Sequence, residues 1–129
     1  EVYTHGLDVT IIAAGPVVYE ALLAARVLEK MGVSTEVINC HTIKPLDTTT
    51  LLTSVKKTRA VVTVEEHQVT GGLGGAITEM LSDRLPSPVV RVGMKDRFGE
   101  SGDPQILLKE FGFSHPAIVS AAKKALTLK

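Results

Sequence analysis

The chain has 129 residues, 14 Lys+Arg, 14 Asp+Glu and a formal net charge of zero. That length suits one compact domain over residues 1–129, and a composition 44% hydrophobic and 22% charged suits a folded protein rather than a disordered one. The charge balance argues against a nucleic-acid binder, no apolar stretch approaches the ~18 residues of a membrane span, no signal peptide is expected, and the lone Cys40 points to a reducing, cytoplasmic setting.

The elements alternate strand and helix. Val2-Tyr3-Thr4 is a candidate edge strand. Val9–Ala14 is a short apolar, β-branched run of the kind covered on both faces of a sheet. It stops at Gly15-Pro16, and Pro16 suits the first turn of a helix. That helix runs to about Met31 with Val18, Leu22, Ala25 and Leu28 as its apolar stripe, and Gly32 stands where a left-handed cap belongs.

Ser34–Asn39 reads as the second strand. Asp47 is the expected N-cap of a short helix that ends near Lys56-Lys57, whose charges suit the negative end of its dipole. Ala60–Val64 is the third strand, with Glu65-Glu66-His67 at its C-terminal end. The glycine cluster 71–75 comes next, and the following helix uses Leu73, Ala76, Ile77, Met80 and Leu81 as its buried stripe. Val89–Val92 is the fourth strand. A long loop, 93–103, precedes a helix from Asp103-Pro104 to Phe111-Gly112. A last helix, capped by Ser114 with Pro116 in its first turn, runs to about Leu126.

This alternation predicts a three-layer α/β/α domain with a mainly parallel sheet and right-handed crossovers. The winding reverses most simply between the Val9 strand and the Ala60 strand. Ligands in such sheets bind outside the strand C-termini where the winding reverses. The Gly15-Pro16 turn is therefore expected beside the 65–75 segment.

Gly71, Gly72, Gly74 and Gly75 have two readings. Glycines before a helix N-terminus let backbone N–H groups hold an anion; more often they let a helix or another subunit come close. The order matches neither a dinucleotide fingerprint nor a P-loop. Glu65 and His67 share one side of an extended strand and Glu66 takes the other. A carboxylate and an imidazole can pair for acid/base work, but a solvated or interface-facing loop is the more frequent case. The remaining histidines have no metal-ligand spacing. Arg97 and Phe98, in a loop with opposite charges and two glycines, suit a contact surface or an anion contact. No self-contained catalytic constellation emerges, which points to a domain serving a larger enzyme.

Several segments occur here in one order: Ile11-Ile12-Ala13-Ala14-Gly15, Thr42–Asp47, Val62–His67 with its glycines, Arg97–Gly102 and Leu107–Phe113. Together they make the chain resemble the C-terminal domain of transketolase, from about Asp8 to Leu126. Relatives with this domain include deoxyxylulose phosphate synthase and the β subunits of 2-oxo acid dehydrogenases. The resemblance implies a five-stranded mixed sheet with four parallel strands and a short antiparallel first strand, Val2–Thr4. It also implies an enzyme of the pentose phosphate type that uses thiamine diphosphate and a divalent metal (Mg) to move a two-carbon ketol unit between sugar phosphates. The cofactor would lie in other domains at a dimer interface, and this chain alone would bind none. No catalytic, cofactor or metal residue carries over. An architectural role does, with Glu66, His67, Gly71, Gly72, Gly74, Gly75, Arg97 and Phe98 as interface or anion-contact candidates. The expected partners are the thiamine-binding domains or subunit of the same enzyme, in a homodimer. The competing readings are the synthase domain, or a freestanding module that binds an anion or nucleotide.

Overall fold

The computed structural model describes residues 1–41, 45–66, 72–94 and 115–129. In chain order the elements are β1 (Val2–Thr4), β2 (Val9–Ala13), α1 (Val18–Lys30), β3 (Thr35–Asn39), α2 (Thr48–Thr58), β4 (Val61–Glu66), α3 (Gly72–Arg84), β5 (Val89–Met94) and α4 (His115–Thr127). The strands form one sheet in the order β1-β3-β2-β4-β5. β1 is antiparallel to β3, and the other three pairings are parallel. The expected sheet is the observed one, including the short edge strand.

The winding reverses where expected. β2 lies between β3 and β4, in register with both: Ile11 is opposite Val37 on one side and Val62 on the other. The helix expected over 104–112 and its Ser114-capped successor's N-terminal boundary lie outside the described residues. Among the described residues, no helix is long and apolar enough to cross a membrane.

Each helix forms for reasons visible locally. A single 3-10 turn, Gly15–Val17, carries Pro16 into α1. α1 buries Val18, Ala21, Ala24, Ala25 and Leu28, and Gly32 follows it with φ +83, a backbone that only glycine adopts without strain. Leu22, expected in the buried stripe, is only partly buried because small alanines carry the contact. Asp47 caps α2 as expected, its Oδ1 accepting from the Thr50 N–H at 3.2 Å.

Strand alternation separates two cores. Val9, Ile11, Ala13, Val37, Val62 and Val64 pack with α1 and α4 on one face. Ile12, Ile38 and Val61 pack with residues of α2 and α3 on the other. Full burial of a side chain such as Leu28 or Ile12 contributes about 1.5–3 kcal/mol. The second face is the more polar: by the same alternation it also carries Thr10, Glu36, Thr63 and Glu65, all buried.

Glu36 anchors the lower half of that face. Its Oε1 accepts from Lys57 Nζ at 2.6 Å and from the Gly6 N–H at 3.1 Å. The neighbouring Thr10 hydroxyl bonds Ser54 and Thr58, each at 2.7 Å. Burial pushes the Glu36 carboxyl up, but bonds from Lys57, Ser54 and Gly6 and the charge of Lys57 together hold it below the ordinary 4.5. A carboxyl depressed in the folded state stabilises fully above its unfolded value and loses that contribution as pH falls through the lower folded value. The stability gap between the parent protein and Glu36→Gln is therefore expected to be wide at pH 6 and to narrow steadily below about pH 4.5. Urea midpoints across that range measure it; a gap independent of pH would remove the assignment.

Candidate functional site

The strand C-termini at the winding reversal form the upper edge of the domain. There the Ala14 N–H donates to the Val64 carbonyl at 3.3 Å, which ties the Gly15-Pro16 turn to β4. The expected neighbourhood of that turn and the end of β4 is present.

β4 continues past Val64 to Glu66, opposite Met94 of β5. The extra pairing sends Glu65 inward onto the α3 face, where it is 2% exposed. Its Oε1 accepts from the Leu73 N–H at 3.2 Å, and its Oε2 accepts from the Gly74 N–H at 2.7 Å. A buried carboxylate thus satisfies two of the amides that every helix leaves unpaired at its start, and its charge complements the positive end of the α3 dipole.

This geometry changes the reading of the glycines. Gly72, Gly74 and Gly75 lie inside the first turn of α3 rather than ahead of it. Glycine is a poor helix former, at about 1 kcal/mol per residue relative to Ala, but two charge-assisted bonds from Glu65 outweigh that deficit. Gly74 is needed for close approach. A Cβ there would stand 3.2 Å from Glu65 Oε2, 3.2 Å from Thr63 Oγ1 and 3.0 Å from Arg91 Cδ. Gly75 has open space at its own Cβ position and is half-buried, and Gly72 is exposed. Within the chain, Gly74 admits a close packing contact and the carboxylate at the helix N-terminus is Glu65.

The candidates divide as follows. Glu66 is half-buried at the end of β4, on the opposite strand face from Glu65. His67, Gly71, Arg97 and Phe98 lie outside the described residues, so the expected Glu65–His67 pairing has no geometry. The described histidines each lie near a glutamate: His5 by Glu36 at 3.7 Å, His41 by Glu1 at 3.2 Å and His115 by Glu20 at 3.8 Å. No group of three His, Cys, Asp or Glu that could hold a metal occurs among the described residues. Cys40, the one cysteine of the chain, is buried. Sequence reasoning missed the capping role of Glu65. The available signal was an acid at the end of a strand followed by a glycine-rich helix start.

The chain matches one protein family over residues 1–118, described as transketolase, C-terminal domain. It is 48% identical over 125 residues to the 6-deoxy-6-sulfo-D-fructose transketolase subunit SqwH of Clostridium sp. (strain MSTE9), covering 97% of this chain and 39% of that one. It is 37% identical over 131 residues to 1-deoxy-D-xylulose-5-phosphate synthase of Desulfitobacterium hafniense (strain DSM 10664 / DCB-2), covering all of this chain and 21% of the synthase. A solved split-gene transketolase, described as an inactive β4 tetramer, superposes with a TM-score of 0.90 at 48% identity, over 100% of this chain and 42% of that one. The chain therefore spans about two fifths or less of the relatives it matches. The match over residues 1–118, most of its length, places this chain in the transketolase C-terminal domain family.

Proposed function

We propose that this chain is the non-catalytic C-terminal domain of a transketolase-type enzyme. The whole enzyme transfers a two-carbon ketol unit between sugar phosphates, using thiamine diphosphate and a divalent metal bound by other domains. The domain packs against those domains and contributes to dimer assembly in a cytoplasmic enzyme. Its contact edge is the C-terminal end of the sheet, with Glu66, His67, Gly71, Gly72 and Gly75 as contact residues, Gly74 packed behind them against Glu65, and Arg97 and Phe98 as further candidates.

One observation carries this reading. The helix N-terminus that could receive an anion at the winding reversal already holds a carboxylate, through bonds of 3.2 and 2.7 Å. A diphosphate brought there would meet that negative charge and find the Leu73 and Gly74 amides engaged. The start of α3 therefore does not fit the diphosphate of thiamine diphosphate, and no step of ketol transfer is assigned to this chain. The split-gene relative gives separate support, since it is described as inactive in a tetramer of its own β chains. The sulfosugar in the name of the Clostridium relative belongs to that protein; here the substrate class is sugar phosphates.

Mixing decides the matter. The 129-residue chain alone is expected to show no heat of binding with thiamine diphosphate and no ketol transfer. Added to the thiamine-binding polypeptide of its enzyme, it is expected to raise ketol transfer at least tenfold. Turnover of a sugar phosphate by the chain alone, or saturable cofactor binding to it, would overturn the reading.

A further inference from the structure

The opposite edge of the sheet carries a second concavity. Thr58 and Arg59 lead into β4, and Pro86, Ser87 and Pro88 lead into β5, so the groove lies at the N-terminal ends of these strands. With Lys57, Leu128 and Lys129 these residues border an open groove of about 410 Å³. That falls in the usual range for small-molecule sites, about 300–1,000 Å³. The lining holds three cationic side chains and no Asp or Glu.

The charges are not equivalent. Lys57 is bonded to Glu36 at 2.6 Å. Neither Arg59 nor Lys129 has a side-chain hydrogen bond or ion pair among the described residues. Helix capping does not occupy the Arg59 guanidinium either. The α2 end is closed by the Arg59 backbone, whose N–H donates to the Val55 carbonyl at 2.8 Å.

Arg59 also holds a strained backbone. With φ +60 and ψ +10 it is in the left-handed region, and it is the one non-glycine residue found there among the described residues. Glycine would take that conformation without strain. That conformation closes α2 as a left-handed cap, and it sets the Arg59 guanidinium at the mouth of the groove with no side-chain partner among the described residues.

We propose that this groove is a binding site for a small phosphate monoester. Arg59 grips the phosphate as a bidentate donor, and Pro86, Pro88 and Leu128 cover the organic part. Guanidinium geometry matches a phosphate in a way an ammonium does not. The site is distinct from the strand edge assigned to partner contact above and does not depend on that assignment.

The test uses glucose 6-phosphate, inorganic phosphate and glucose on the 129-residue chain. Glucose 6-phosphate is expected to raise Tm saturably, as mass action requires, and inorganic phosphate less so; glucose leaves Tm unchanged. Amide shifts are expected at Thr58, Arg59 and Ser87. Arg59→Gly separates the two properties of the residue. Without ligand its Tm is expected to rise by about 2–5 °C through relief of strain, while affinity for glucose 6-phosphate falls at least tenfold. A parent protein that responds to neither phosphate, an Arg59→Gly variant that binds as tightly as the parent, or shifts confined to residues 13–15 and 64–76 would each overturn the proposal.

Discussion

Gly6→Ala is expected to lower stability by roughly 3 kcal/mol or more and Tm by about 10 °C, although it adds a single methyl group far from any candidate site. Gly6 is buried where the segment after β1 crosses the start of β3. A Cβ there would collide with the Thr35 carbonyl carbon and stand 2.6 Å from both the Thr35 and Glu36 nitrogens. All three are backbone atoms of a strand paired on both sides, so no rotamer change relieves the clash. The displacement would also stretch the 3.1 Å bond from the Gly6 N–H to Glu36 and leave that carboxylate more dependent on Lys57. Urea unfolding of Gly6→Ala at pH 7 measures the effect, with Gly75→Ala as the control. The control position has open space for a Cβ and lies in a helix, so its stability is expected to be unchanged or raised by about 0.5–1 kcal/mol. Equal midpoints for Gly6→Ala and the parent protein would show that the crossing is looser than its distances imply.

Glu65→Ala is expected to cost about 2–4 kcal/mol. Two terms combine: loss of charge-assisted bonds at a helix N-terminus, and exposure of two buried amides with no acceptor. The damage should be local first. Leu73 and Gly74 amide protection in hydrogen exchange is expected to fall well before that of β2 or β4, because α3 begins with three glycines at positions 72, 74 and 75 and has little intrinsic tendency to hold its first turn. Glu65→Gln keeps one acceptor oxygen but sets an NH2 group against a backbone N–H, so about half the cost is expected. If Glu65→Ala unfolds at the parent midpoint with both amides still protected, the carboxylate is not what starts α3. The same variant bears on assembly. An α3 start released from Glu65 would blur the upper edge of the domain, and the chain is expected to restore less activity to its thiamine-binding partner than Glu65→Gln does.

Much of this architecture was legible in the order of residues. Val9–Ala13 and Val61–Val64 are too apolar and β-branched for anything but strands covered on both faces, and Asp47, Pro16 and Gly32 punctuate the helices through their own backbone chemistry. The reversal of winding followed from covering both faces of the sheet with right-handed crossovers. These are local or topological rules, which depend on a few neighbours in the chain.

The site was legible only in outline, because its chemistry depends on distance between segments. Glu65, Glu66 and the glycines could be marked as unusual, yet nothing in their spacing states that Glu65 turns inward. That orientation follows from two further residues of β4 pairing with Gly93 and Met94 of β5. The glycines were expected ahead of a helix and proved to be its first turn, because a carboxylate from a neighbouring strand supplied what their own propensity lacked. Gly6 gave no signal at all; its necessity arises from a crossing with a strand some thirty residues further along.

Among the described residues, strand and helix identity, the Asp47 and Gly32 caps and the order of winding were thus determined by the sequence alone, since each rests on the periodicity of apolar residues, the φ/ψ limits of single positions or right-handed crossovers; the family resemblance was carried by motifs in a fixed order. Only the tertiary structure decided which acid is buried, which glycine is indispensable and which cation is left without a partner. Those properties are set by atoms within about 4 Å in space, and such neighbours are not neighbours in the chain.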